Sequence, residues 1–288
     1  MTAGEATDPV EEELPAWSVG AGHEPALAVA RWPAPVTRDW AWGGSSGAGA
    51  RVCIVDSGIE PDHPAVVPVA RRVTVEVDDT GLAEVSEDVE DDVSGHATAC
   101  ASIIRSVAPQ CELTSMRVMR RGAKGSKGSG MDLLAGLAWA VEERFDVINL
   151  SLSTRRRKFA TVLHDLADGA YFSGAMLVVS AHNMPVESYP WRFAALVSVG
   201  SHEGADPTQF FYNPAGPVEF FARGVDVDVA WSSGSRIQAT GNSFAAPHIA
   251  GILALIRAKH PELTPFELKT VLRMTASNRV NEEPDGRG

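Results

Sequence analysis

Short apolar runs that do not alternate with polar residues constrain this chain most. Arg51–Asp56 reads R-V-C-I-V-D and residues 175–180 read A-M-L-V-V-S, while residues 145–153, F-D-V-I-N-L-S-L-S, read as another buried strand. A strand with one wet face alternates apolar and polar side chains. An unbroken apolar run therefore signals burial on both faces, the condition of a parallel sheet covered by helices. Segments of helical period lie between these runs. One opens at His96 with Ala99, Ile103 and Val107 in register, one spans 131–144 with Leu133, Leu134, Leu137, Ala138 and Val141, and one spans 159–171. A further strand is expected at 113–119. Strand and helix in alternation build βαβ units, so the expected fold class is α/β, a three-layer sandwich around a mostly parallel central sheet.

Beyond Pro185 the pattern shifts to shorter strands at 195–200, 218–222, 225–230 and 236–240. A helix then opens at or just after Ser243. Pro247 is expected in its first turn, where a helix spares the missing N–H. A last helix starts with Thr264 as N-cap, Pro265 at the first helical position and Glu267 completing a capping box, and runs to about Ala276. The 288 residues fit one large domain at 49–277. Residues 1–48 read as an arm of little regular structure, pinned to the domain by Trp17, Trp32, Trp40 and Trp42, and 278–288 as a frayed tail.

The formal charge of −12 argues against nucleic acid and anionic membrane surfaces as main partners, because both need a basic face. No apolar run reaches the roughly 18 residues of a membrane span. The start of the chain is acidic and proline-containing, without the basic and apolar regions of a secretory signal. Cys53, Cys100 and Cys111 are odd in number, and the first two sit in apolar stretches where a reduced thiol is the ordinary reading. The expected location is cytoplasmic.

Three polar residues stand where strand ends meet helix starts. Asp56 follows a buried strand, His96 opens one helix, and Ser243 opens another, where free N–H groups and the positive dipole end favour developing negative charge. Singly they have plain structural roles: a turn aspartate, a structural histidine, an N-cap serine. The helix dipole at His96 predicts a neutral imidazole able to accept a proton. Together the three supply what nucleophilic acyl transfer needs: a hydroxyl, a base for its proton, and a carboxylate to fix that base.

The motifs around these residues resemble those of the subtilisin-like serine proteases, the subtilases. They are V-C-I-V-D-S-G-I-E-P-D-H-P at Asp56, S-G-H-A-T-A at His96 and G-N-S-F-A-A-P-H-I-A-G at Ser243, supported by K-G-S-G-M-D-L-L-A-G-L-A-W-A and D-V-I-N-L-S-L-S. The likeness covers roughly residues 50–276 in the family's order, Asp then His then Ser. It implies a subtilisin-like fold and a serine endopeptidase with Asp56, His96 and Ser243 as triad and Asn183 as oxyanion donor. It also implies a cleft that binds an extended peptide between Gly128-Ser129-Gly130 on one edge and residues 150–153, with Ser151, Leu152 and Ser153, on the other.

Several positions depart from the family pattern. Ala97 replaces the glycine after the histidine, Asn242 the threonine before the serine, His182 the glycine before Asn183, and Ser153-Thr154 a Gly-Gly pair. The last two departures line the pocket for the residue preceding the scissile bond, so they bear on specificity. The family's calcium-binding insertion in the histidine helix is missing, and no cofactor is expected. The acidic run over 76–92 reads as a solvated loop, with a weak cation site as the alternative. The arm is read as inhibitory or structural rather than as a folding propeptide. Arg120, Arg121, Lys124, Lys127 and Arg155, Arg156, Arg157, Lys158 flank the cleft edges and would orient a substrate of uneven charge. The expected function is a serine endopeptidase. Alternatives are a maturation protease for one precursor or leader peptide, and an inactive subtilase fold kept as a binding module.

Overall fold

The computed structural model describes residues 35–122 and 125–279. In chain order the strands are β1 (Arg51–Asp56), β2 (Arg71–Val77), β3 (Ala83–Glu87), β4 (Glu112–Arg117), β5 (Met119–Gly122), β6 (Gly125–Gly128) and β7 (Val147–Leu150). They continue with β8 (Met176–Ser180), β9 (Val197–His202), β10 (Phe210–Tyr212), β11 (Phe220–Arg223), β12 (Val227–Ala230) and β13 (Arg236–Ala239). The α-helices are α1 (Arg38–Trp42), α2 (His96–Val107), α3 (Gly130–Glu142), α4 (Ala160–Phe172), α5 (Asn242–Lys259) and α6 (Pro265–Thr275). The main sheet has the order β10-β11-β9-β8-β7-β1-β4-β2-β3. Pairing is parallel from β11 through to β2, with β10 and β3 as antiparallel edges.

The unbroken apolar runs are buried on both faces. In β1, Val52 and Ile54 pack with Ala101 and Ile104 of α2 and Ile249 and Leu253 of α5. Cys53 and Val55 turn the other way, onto Leu137 of α3 and Leu163 of α4. Helices therefore cover both sides of the sheet, as a fully apolar strand requires. Each fully buried Ile, Leu or Val contributes about 1.5–3 kcal/mol, and the central strands share this burial with the helices that cover them.

The structure corrects the expectation of a solvated loop over 76–92. The run begins within β2 and continues into β3, a wholly exposed strand on the sheet's edge. Charged side chains there keep an unpaired edge from recruiting another strand. Beyond β3 the chain turns inward. Asp88 is buried and takes Arg117 in a two-pronged pair, with Nε to Oδ2 at 3.0 Å and Nη2 to Oδ1 at 2.9 Å. Asp88→Ala is expected to cost about 3–5 kcal/mol, because it strands a buried guanidinium, and denaturant melts would read this as a lower midpoint.

Other expectations shift in detail. The basic, glycine-rich stretch after Met119 forms the β5–β6 hairpin rather than a loop. Residues 36–48 of the arm belong to the body of the fold and carry α1, capped by Thr37. Trp40 packs on His260 with ring centroids 4.3 Å apart, and Lys259 donates to the carbonyls of Asp39 and Gly43. Trp17 and Trp32 lie outside the described residues. Asn278, expected to fray, exchanges hydrogen bonds with the Tyr212 backbone. The capping box at Thr264 and Glu267 forms as expected.

Candidate active site

The chain runs from β1 to β2 and β4 on one side, whereas β7, β8 and β9 lie on the other. This reversal leaves a crevice beyond the carboxyl ends of β1 and β7, the usual place for a ligand in an open α/β sheet. Asp56 ends β1 and is fully buried. His96 opens α2 and turns Nδ1 onto both Asp56 oxygens, at 3.0 and 2.9 Å. Gly95 precedes it at φ 87°, and a Cβ there would sit 2.6 Å from the Trp231 ring, so glycine is required.

The His96 side chain is only 22% exposed. Burial by itself lowers its pKa, but the charge and hydrogen bond of Asp56 and the charge of Asp92 outweigh it, and the net shift is upward. The helix dipole alone would shift it the other way. Two carboxylates close by exceed the half-charge of a helix end. Asp92 closes the acidic run and is buried. It accepts from Ser57 Oγ at 2.7 Å and from the amide and hydroxyl of Thr98 at 2.9 and 2.7 Å. Composition alone gave no sign that one member of that run serves the α2 N-terminus.

Ser243 lies in the first turn of α5. The helix begins at Asn242, so Pro247 falls in the second turn and not, as expected, in the first. Its missing N–H leaves the Ser243 carbonyl without a helical donor. Ser151 supplies one from β7's end, Oγ to O at 3.0 Å, and receives Asn149 Nδ2 at 3.2 Å. Ser151, expected only as cleft edge, thus also braces the serine's backbone. Asn242 explains a departure noted in the sequence. Its Oδ1 accepts from Ser201 N and Oγ at 2.8 and 2.9 Å, and its Nδ2 donates to Ala181 O at 3.1 Å, tying α5 to the segment that carries Asn183. Asn183 Oδ1 accepts from Asn242 N at 2.9 Å, which leaves the side-chain NH₂ facing away from that bond.

His96, Asn183 and Ser243 line one depression of about 450 Å³, together with Ser151, Leu152, Ser153 and His182. Gly128, Ser129 and Gly130 line an adjoining one that shares Met119, Leu152 and Ser153. All the residues expected at the site are therefore drawn to one face. Asp56 lies behind His96. Among the described residues no hydrogen bond joins Ser243 Oγ to His96, although both line this depression.

Residues 47–287 match the model of the subtilase family. The chain belongs to that family. It is 28% identical to subtilisin DY of Bacillus licheniformis over 261 residues, which covers 85% of this chain and 90% of that one. Subtilisin E of Bacillus subtilis (strain 168) is also 28% identical, with 65% of its length covered, and the minor extracellular protease Epr of the same strain is 27% identical, with 37% covered. A cold adapted subtilisin-like serine proteinase of known crystal structure superposes with a TM-score of 0.67 at 25% identity, covering 83% of this chain and 86% of that one. The chain is accordingly a serine endopeptidase with a subtilisin-like fold.

In this subtilase α2 runs unbroken from His96 to Val107 and turns directly toward β4. Members of the acidic run have partners of their own: Asp88 meets Arg117, Asp92 accepts from the Thr98 amide, and exposed Asp78 closes its own turn through Thr80 and Leu82. Among the described residues only Asp56, His96 and Cys100 bring three metal-ligating atoms within 4.8 Å of one another. That set holds one nitrogen and one thiol that burial keeps protonated, a poor match to the oxygen shell of calcium.

Proposed function

We propose that this subtilase cleaves peptide bonds through an acyl-enzyme on Ser243. The observation that carries the reading is the pairing of His96 Nδ1 with both oxygens of buried Asp56, in a cleft that His96 shares with Ser243 and Asn183. Asp56 holds the imidazole with its proton on Nδ1, so Nε2 faces the cleft as a base. Ser243 Oγ adds to the carbonyl carbon of the scissile bond and its proton passes to His96 Nε2. The oxyanion receives the Asn183 amide and the Ser243 backbone N–H, which has no acceptor among the described residues. As the C–N bond breaks, His96 returns the proton to the leaving amine. Water then attacks the acyl carbon by the same route, and Ser243 is restored.

Labelling by a fluorophosphonate that maps to Ser243 by mass spectrometry tests this assignment, and labelling elsewhere removes it. Asn183→Leu should lower kcat about 10²- to 10³-fold with little change in KM, a magnitude established on subtilisin, a relative of this chain. Steady-state kinetics on one peptide reads it.

A second reading, a protease of narrow specificity acting on one precursor or leader peptide, is supported by His182, Ser153 and Thr154 in the pocket region where the family has glycines. Each adds bulk and hydrogen-bonding groups that restrict what enters. Mapping cleaved bonds in a proteome digest separates the two: scattered sites favour a general endopeptidase, one dominant motif the narrow one. The buried, unpaired thiols of Cys53, Cys100 and Cys111 support a reducing, cytoplasmic setting.

A further inference from the structure

The depression that continues the catalytic cleft past Leu152 and Ser153 has a volume of about 510 Å³. Its floor is apolar, built from Val118, Leu133 and Phe159, whereas its charged lining consists of Lys127, Arg156 and Lys158 without a carboxylate. The protein carries a net charge of −12, so a rim of one sign against that background is a local feature. All three cations are exposed, and among the described residues none forms a salt bridge. Neighbouring cations differ. Arg120 is paired with Asp132 at 3.2 Å and Glu76 at 3.7 Å, and Arg157 bears on Glu187.

The rim is held in place. Thr154 exchanges backbone hydrogen bonds with Tyr189, both at 2.9 Å, and its hydroxyl accepts the Arg156 amide at 3.2 Å. The Lys158 ammonium lies 4.9 Å from the centre of the Phe159 ring, a cation–π contact. Phe159 in turn closes on Gly130, where a Cβ would come within 2.2 Å of the ring. The two cleft edges therefore meet behind the pocket, and its cations project over a formed hollow.

We propose that this hollow is a specificity subsite for an acidic substrate side chain, Asp or Glu, on the amino-terminal side of the scissile bond. The proposal rests on the cleft reading above, in which Ser153 and His182 flank the residue just before that bond. A peptide extending away from Ser243 between the same edges rises about 3.3 Å per residue, and past Leu152 and Ser153 its side chains enter the hollow lined by Lys127, Arg156 and Lys158. Its carboxylate meets unpaired cations, and the aliphatic part of a glutamate covers the apolar floor. Solvated pairs of this kind are individually weak and are screened over about 8 Å at physiological salt, so selectivity comes from several acting together.

Fluorogenic peptides identical except for Glu, Gln or Lys at the second, third, fourth or fifth residue before the cleaved bond test this. At one of these positions kcat/KM should be about tenfold higher for Glu than for Gln at low salt, lower still for Lys, and the gap should narrow at high salt. The double variant Arg156→Glu, Lys158→Glu should invert the order toward Lys. A fluorophosphonate too small to reach the hollow reports separately whether Ser243 remains reactive. Equal cleavage of all three peptides at every position, or an acidic preference that survives the double variant, overturns the subsite while the peptidase stands. Loss of labelling in the wild-type protein would remove the Ser243 assignment, and the subsite with it.

Discussion

Ser243→Ala should abolish turnover while leaving the fold intact. The expected fall in kcat is about 10⁶-fold, the scale measured for the nucleophile of subtilisin, the relative from which this number comes. The reason is local. The Ser243 hydroxyl makes no hydrogen bond among the described residues, so its loss leaves no buried partner unsatisfied and the melting temperature should stay within a degree or two of wild type. Cooperation within the site gives a second expectation. With the nucleophile gone, the base has no proton to take, and Ser243→Ala combined with His96→Ala should be no slower than Ser243→Ala alone. The residual rate would come from the Asn183 amide, the Ser243 N–H and substrate binding. Single-turnover assays on a fluorogenic peptide, with a fluorophosphonate to confirm loss of labelling, measure both. A Ser243→Ala protein that kept about one per cent of wild-type kcat would place the nucleophile elsewhere, because a missing nucleophile costs far more than a hundredfold.

Much of this architecture was legible because apolar patterning and burial are the same fact seen twice. Val52 to Val55 carry no polar residue, and all four are buried between α2 and α5 on one side and α3 and α4 on the other. Capping chemistry was equally direct at Thr264 and Glu267. What escaped was decided by tertiary partners. The acidic run looked solvated because nothing local distinguishes Asp88 and Asp92 from their exposed neighbours. Their burial depends on Arg117 and on Ser57 and Thr98, the first two distant in sequence. β2 was missed for a related reason. Arg71, Arg72 and Glu76 bracket its short buried centre, Val73 to Val75, and obscure the strand pattern.

Pro247 shows how one residue can be read correctly for type and wrongly for consequence. Its preference for a first turn is sound, but α5 starts earlier, and the freed Ser243 carbonyl becomes the acceptor through which Ser151 braces the Ser243 turn. The sequence displays both serines but not the bond between them. The cleft cations were visible as clusters too. Only the fold separates Arg120, which is paired with Asp132 and Glu76, from Arg156 and Lys158, which form no salt bridge among the described residues.

Asp56→Asn should lower kcat about 10⁴-fold, the scale seen when the triad carboxylate is made neutral in serine proteases, subtilisin included, with far less change in KM. The carboxylate meets His96 Nδ1 at 3.0 and 2.9 Å and also accepts from Ser57 N at 2.7 Å. An amide in its place can keep its oxygen on Ser57 N and turn its NH₂ to Nδ1. The imidazole proton then moves to Nε2, the nitrogen that must receive the serine proton. A change of pH dependence should accompany the loss. In the wild type Asp56 and Asp92 raise the His96 pKa against the pull of burial. Since only the neutral imidazole is a base, wild-type kcat/KM should climb with pH through a midpoint above that of an ordinary histidine. Removing the Asp56 charge leaves burial opposed by Asp92 alone, so the midpoint should move to lower pH. Profiles of kcat/KM from pH 5 to 10 for both proteins, with circular dichroism to verify folding, read the shift directly. An Asp56→Asn enzyme with the wild-type midpoint would mean that His96 is not the titrating base, whatever the loss in rate.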